Sequence, residues 1–502
     1  MKFQLPRSTQ NWITLIGATI ALIALFMIAF GFAMSILWKP GHAYIGLVLY
    51  ILLPAFMILG LILIPIGMLF QIWRDRKLKM MERPPWPRVD LNDPRHRNAF
   101  FIFSIGTTTL LFMSAIGSYE AFHFTESVTF CGTLCHQVMY PEHKAYQHSP
   151  HARVKCVSCH VGPGANWYVR SKLSGVYQVY AVLSHVYPQP IPTPIENLRP
   201  ARETCEECHW PEKFYAQKLR MESHYLPDQK NTQWNIYLIM KIGAEHPALG
   251  LREGIHWHIN PDVRVEYIAT DEEREKLPWV RYTNLKTGEQ VTYQDQDAPL
   301  SAEEIKKRES RVMDCMDCHN RPSHLYRPPA FFVNDAMKAG EIPTELPEIK
   351  SLAMKICGNE FKTTEEAMKA IEMEIHRFYK EAYPDIYESK RKLVEESVKG
   401  LQQAFSENIF PEMKVRWSAY PNQIGHIEFN GCFRCHNDRH KSQEGKVIRK
   451  NCDQCHIISA QGSPENMEIA ELNQALEFKH PEDIGDAWKE MLCTECHTGL
   501  NP

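Results

Sequence analysis

Residues 130–160, FCGTLCHQVMYPEHKAYQHSPHARVKCVSCH, hold four cysteines in two pairs, and each pair runs straight into a histidine. The same pattern recurs down the chain. Of its fifteen cysteines, fourteen fall into seven pairs followed at once by His. The first pair is spaced by three residues: Cys131, Cys135, His136. The other six are CxxCH: Cys156, Cys159, His160; Cys205, Cys208, His209; Cys315, Cys318, His319; Cys432, Cys435, His436; Cys452, Cys455, His456; and Cys493, Cys496, His497. CxxCH is the pattern of covalent c-type haem attachment. Two thiols form thioethers to the vinyl groups, and the adjacent imidazole ligates the iron. Tetrahedral zinc gives no reason for a histidine after every second cysteine. A disulfide framework does not hold one spacing, and a thioredoxin-like CxxC occurs once. Seven covalently attached haem c groups, each with its iron, are therefore expected. Cys357, in KICGNEF, has no partner and reads as a small buried residue.

Just before the first pair the chain is apolar. Trp12 to Trp38, Ala43 to Trp73 and Asn98 to Tyr119 carry no charged residue, and each is long enough to cross a hydrocarbon core of about 30 Å as helix. The loop RDRKLKMMERPPWPRVDLNDPRHRN between the second and third holds eight Lys/Arg, against one in KPGHA. The positive-inside rule makes that loop and the N-terminus cytoplasmic. Everything beyond about Ser118 then lies outside, the side on which c-type haems are attached in bacteria. The expected location is a multi-pass bacterial inner-membrane protein with its haem domain in the periplasm.

Charge divides the same way. The formal net charge is −3, but residues 1–119 carry eleven Lys/Arg and four Asp/Glu, whereas residues 120–502 carry 45 and 55. An acidic outer part excludes nucleic acid as a partner and suits a basic redox protein.

Along residues 120–502, YPQPIPTPIENLRP separates motifs two and three as an extended segment. GIHWHINPDVRVEYIAT and WVRYTNLKTGEQVTYQ alternate apolar and polar, the second turning at Thr287-Gly288. SAEE at Ser301–Glu304 has the form of a capping box. TTEEAMKAIEMEIHRFYKEAY and IYESKRKLVEESVKGLQQAF have helical periodicity and are separated at Pro384. The fold class is mainly α with much irregular haem-packed structure: three N-terminal transmembrane helices, then a periplasmic multihaem cytochrome c domain with a small β-hairpin region.

A helix running into FCGTLCH, then SPHARVKCVSCHVGPG, WYVRSKLSG and CEECHWPEKF, resembles the NapC/NirT group of membrane-anchored multihaem cytochromes over about residues 99–320. The extra helices and three further motifs are similar to a narrower seven-haem inner-membrane type from metal-reducing bacteria. Spans, periodicity and motif positions together give three expected regions: 1–119, a membrane domain; 120–330, a tetrahaem domain of the NapC/NirT kind with a strand-rich insert at about 230–300; and 331–502, a helical spacer and a trihaem domain. It implies a quinol dehydrogenase, oxidising menaquinol or another membrane quinol and passing electrons to periplasmic c-type cytochromes in anaerobic or extracellular-acceptor respiration. It further implies Met139 as a ligand at the first motif, His151 as ligand to a neighbouring haem, and Lys172 at the quinol pocket. Packing is the other reading of Met139, and an interface anchor that of Lys172. An electron-wiring subunit of a larger complex stays open beside the quinol reading; a terminal reductase is the weaker alternative, because no CxxCK is present.

Sixteen of the 23 histidines lie outside the motifs. Those near motifs or in apolar settings are the distal candidates: His151, His224, His256, His258, His324, His426, His440 and His480. Quinol oxidation releases two protons, so a titratable group belongs at the site; Lys172, Glu120, Glu126 and Glu142 are the candidates.

Overall fold

The computed structural model describes residues 9, 11–37, 52–78, 90–133, 136–195, 199–211, 214–243, 254–471 and 474–500. The chain divides into two compact units, Met1–His136 and Gln137–Pro502.

The first unit is helical: α1 Trp12–Leu37, α2 Leu53–Lys77, α3 Pro94–Thr125 and the short α4 Val128–Thr133. Two stretches, Trp12–Gly31 and Leu53–Lys77, are long and apolar enough to cross a membrane. Their apolar side chains face outward, as lipid requires; Leu22 and Phe26 are both 69% exposed. Where α1 and α2 meet, side chains shrink. A Cβ on Gly17 would lie 2.7 Å from the Gly60 carbonyl, and one on Gly60 would lie 2.6 Å from that of Gly17. Lipid tails give two helices no hydrophobic reason to associate, so backbone-to-backbone packing of this kind supplies it. The sequence places the second span from Ala43, but residues 43–51 lie outside those described, as does much of the basic loop (79–89). α3 runs unbroken for 32 residues.

In the second unit the helices are α5 His136–Gln147 (its first residue belonging to the first unit), α6 Cys156–His160, α7 Ala165–Leu183, α8 Ala201–Cys205, α9 Ala302–Lys307, α10 Pro329–Lys338, α11 Ile349–Cys357, α12 Thr364–Ala382, α13 Pro384–Ser389 and α14 Arg391–Asn408. Ser301 caps α9, its hydroxyl accepting from the Glu304 amide while the Glu304 carboxylate accepts from the Ser301 amide. The strands are β1 Gln217–Tyr225, β2 Gln233–Lys241, β3 Val263–Ile268, β4 Trp279–Asn284, β5 Gln290–Asp295, β6 Arg311–Val312, β7 His440–Ser442, β8 His456–Ser463 and β9 Asn466–Ile469. They form two antiparallel sheets, ordered β1-β2-β8-β9 and β6-β3-β4-β5-β7. The β4–β5 pair is a hairpin with Gly288 at φ 75°, a left-handed position that glycine takes without strain.

Two features extend beyond the sequence expectations. The β structure is more than one small hairpin region, because strands far apart in sequence complete each sheet. A boundary after residue 330 is crossed by the β2–β8 and β5–β7 pairings, so residues 120–330 and 331–502 share their sheets. Residues 330–409 are also more than a spacer. α10, α11, α12 and α14 close around Val333, Leu346, Ala353, Ile371, Ile375, Leu401 and Phe405, all fully buried. Apolar residues at i, i+4 and i+8 of α12 (Ala367, Ile371, Ile375) form the stripe that buys this core. Cys357 is wholly buried within it.

Candidate functional site

Each described CxxCH forms one tight helical turn. α6 is motif two itself, and α8 ends on Cys205. Motifs four to seven open as 3-10 turns at Cys315–Asp317, Gly431–Arg434, Cys452–Gln454 and Cys493–Glu495. The amides of His209, His319 and His497 each donate to the carbonyl of the first cysteine of their motif at 2.8 Å. One turn brings both thiols to one side and holds the imidazole beside them. The described motif cysteines form no disulfide.

Opposite these imidazoles stand others. Ring centroids lie 6.2 Å apart for His160 and His324, 6.0 Å for His209 and His151, and 6.2 Å for His319 and His256. They lie 5.8 Å apart for His436 and His258, 6.2 Å for His456 and His426, and 6.1 Å for His497 and His480. Half of each separation accommodates a metal–imidazole bond of about 2 Å plus about 1 Å from nitrogen to centroid. The residues therefore fit six irons, each between a motif histidine and a distal one.

Hydrogen bonds fix four of the distal tautomers. Nδ1 of His151, His256, His258 and His324 faces the backbone carbonyl of Pro322 (3.1 Å), Ile242 (2.7 Å), Ile255 (2.8 Å) and Glu142 (3.0 Å). A carbonyl can only accept, so in these four the proton sits on Nδ1 and the Nε2 lone pair is left for a metal. His480 Nδ1 meets both the carbonyl (2.9 Å) and the amide (3.2 Å) of Glu482. Burial pushes His256 and His258 below the usual imidazole range, and His324 and His426 down to about 4. The neutral, ligating form is thereby favoured.

Two candidates stand apart from these pairs. His440 is fully buried, but its Nε2 is tied to the Leu277 carbonyl at 2.8 Å and its Nδ1 faces Asn437 Oδ1 at 3.0 Å. The nitrogen that would reach an iron is used in pinning β7. His224 has the opposite tautomer. Asn334 Oδ1 accepts from the Tyr225 amide and from Lys350 Nζ, which turns Asn334 Nδ2 to donate to His224 Nδ1 (3.4 Å) and leaves the ring proton on Nε2.

Consecutive motifs touch. The Cys205 and Cys315 thiols share a hydrogen bond between motifs three and four. His256 and His258 occupy one five-residue 3-10 turn and serve motifs four and five. Cys493 Sγ lies 3.8 Å from His426 Nδ1, joining motif seven to the histidine opposite motif six. Motif four is anchored through the buried Asp317, which accepts from Tyr267 (2.6 Å), Arg311 (2.8 Å) and the Asp314 amide (2.6 Å). Arg434, inside motif five, is 7% exposed and donates to the carbonyls of Gly431 (2.8 Å), Arg274 (2.7 Å) and Asp317 (2.7 Å). Sequence reasoning missed it, since an arginine between two cysteines carries no signal of its own.

The proton-handling candidates differ in setting. Glu126 is half-buried in the turn after α3. Lys172 is half-buried on α7, its ammonium 5.0 Å from the Tyr168 ring. Glu142 points inward beside Tyr326, Tyr420 and Arg321, whose guanidinium sits 3.8 Å over the Tyr420 ring. Burial raises the Glu142 carboxyl above the usual range. Of the first motif, Cys131 lies on α4 and Met139 is half-buried on α5; Cys135 and the His136 ring lie outside the described residues.

The NapC/NirT cytochrome c family, N-terminal region, matches residues 94–190. The chain is 48% identical over 491 residues to cytochrome c-type protein ImcH of Geobacter sulfurreducens, covering 97% of this chain and 95% of that protein. No solved structure matches. Paired cysteines closed by histidine, facing imidazoles and apolar N-terminal helices agree with that kinship: the chain is a membrane-anchored multihaem cytochrome c and belongs to the NapC/NirT cytochrome c family.

Proposed function

We propose that this protein is a quinol dehydrogenase of the bacterial inner membrane, with seven covalent haem c groups, three membrane crossings, a cytoplasmic N-terminus and a periplasmic haem domain. It takes electrons from menaquinol or another membrane quinol and gives them to periplasmic c-type cytochromes. The observation that carries the reading is the set of six histidine pairs at 5.8–6.2 Å, linked motif to motif. Two strong axial ligands leave no open position for a substrate, which favours electron transfer over terminal reduction. When bound, haem c supplies one-electron iron chemistry. His151, His256, His258, His324, His426 and His480 would complete six of the sites.

The chain's own part is to bind quinol and move its protons. Lys172 can donate a hydrogen bond to a quinol oxygen and stabilise the anion left as the proton departs. Glu126 and Glu142 are the proposed proton acceptors; the raised Glu142 carboxyl suits it to hold a proton nearer neutrality. The test is reduction of the purified protein by a menaquinol analogue. Lys172→Gln should keep every haem and full reduction by dithionite, while quinol-driven reduction slows by roughly 10²-fold, the loss of one charged hydrogen bond. An unchanged rate removes Lys172 from the site. No quinol-driven reduction in the parent protein removes the activity itself.

A further inference from the structure

α7 sends its side chains two ways. Ala181 is buried, and Val182 packs on the cluster of Val138, Tyr326, Phe410 and Tyr420. The other face is bare. Val169, Leu173, Val176, Tyr177, Tyr180 and Leu183 are each more than half exposed, Leu183 reaching 76%. At 3.6 residues per turn these six fall within one arc of roughly 120°, a stripe about 21 Å long. Arg170 and Lys172 sit just beyond its two edges. Each cation lies over an aromatic ring, Arg170 at 5.5 Å from Trp167 and Lys172 at 5.0 Å from Tyr168.

A stripe of that kind in a water-facing domain is an aggregation surface unless something covers it. Its chemistry selects the cover. Aliphatic residues at the centre, tyrosines among them and cations at both margins are the pattern of a helix lying in a membrane–water interface. The cationic side chains reach headgroup phosphates while their stems stay apolar. The chain's own membrane anchor keeps a bilayer at hand for this helix.

We propose that α7 lies flat in the outer membrane–water interface, with its Val169–Leu183 face in the acyl boundary and Arg170 at the lipid phosphates. The partner is a phospholipid surface. The proposal stands whether or not the protein oxidises quinol.

The test uses the full-length, haem-loaded protein in nanodiscs of phosphatidylglycerol and phosphatidylcholine containing a phospholipid with a photoactivatable diazirine in its acyl chain. After illumination, adducts are mapped by peptide mass spectrometry. Peptides spanning residues 165–186 should carry lipid adducts, as should those of α1. The double variant Leu173→Asp/Leu183→Asp should lose the α7 adducts and keep those of α1, with haem absorbance unchanged. The parent map decides by itself if the variant does not fold. Adducts on α1 with none on 165–186 overturn the proposal.

Discussion

Replacing His256 by alanine and, separately, His440 by alanine sets two buried histidines against each other. The His256 ring lies 6.2 Å from that of His319 and parallel to it within 3°, with its Nδ1–H spent on the Ile242 carbonyl and its Nε2 free. His440 has Nε2 spent on Leu277. Removing the His256 ring opens one axial position at one haem. Its covalent attachment stays, because Cys315 and Cys318 are untouched. The ferric electron paramagnetic resonance spectrum of His256→Ala should therefore gain one haem equivalent of high-spin signal over the parent, with the denatured mass short only by the side-chain difference. His440→Ala strands the Leu277 carbonyl and should cost about 1–3 kcal/mol of stability, yet add no high-spin signal. A high-spin haem in His440→Ala, or an unchanged spectrum in His256→Ala, would refute the tautomer argument for His151, His256, His258 and His324.

Arg434→Gln removes a buried charge beside the thiols of Cys318, Cys432 and Cys435. A unit charge roughly 10 Å away at an effective dielectric near 20 is worth about 2 kcal/mol. Because a cation disfavours the ferric state, spectroelectrochemical titration should show two midpoint potentials moving down, and Arg434→Lys should largely restore them. Intact mass of the denatured protein should show seven haem additions, and Cys131→Ser/Cys135→Ser should show six; six in the parent would remove the first motif from the set. Lys350, fully buried and donating to the Ala330 carbonyl (2.9 Å) and Asn334 (2.8 Å), is pushed by burial down to about 7. Since its folded pKa lies below its unfolded one, the folded state sheds the proton first. Stability from this group is full above the unfolded value and is lost as pH falls towards 7. Urea unfolding should show the parent losing about 2 kcal/mol relative to Lys350→Met between pH 9 and pH 7.

The covalent chemistry was legible because it is local: a cysteine, two residues, a cysteine and a histidine make one turn wherever they occur. The membrane helices and the capping box at Ser301 are local in the same sense. The distal partners were legible only as a pool. Nothing in HNRPSH, residues 319–324, says that His324 meets His160 rather than His319, its near neighbour in sequence. His440 was a candidate for lying close to its own motif, but its ring is delivered to the Leu277 carbonyl in the segment just ahead of β4. The two sheets escaped the reading because each is completed by a pairing, β2–β8 or β5–β7, that joins strands on opposite sides of the α10–α14 core in sequence, and alternation along one strand does not name its neighbour. Arg434 acts through the backbone carbonyls of Arg274 and Asp317, and Asp317 through the Tyr267 hydroxyl, contacts with distant segments that residue identity does not announce.

The crossed arrangement of the histidine pairs bears on how the protein matures. A motif histidine is next to its thiols from the moment of synthesis, whereas its opposite number must be brought in from elsewhere in the chain. For His160 that means waiting until motif four has been passed; in the other five pairs the distal histidine is made first, and His258 waits for motif five. Meanwhile any free imidazole within reach can take the vacant side of a newly attached haem. Loop closure costs grow only slowly with length, so nearby wrong partners hold little advantage in stability but a large one in speed. Refolding after denaturation should thus be slowed by misligated intermediates and quickened by excess free imidazole, which would let wrong pairings exchange until the sheets close.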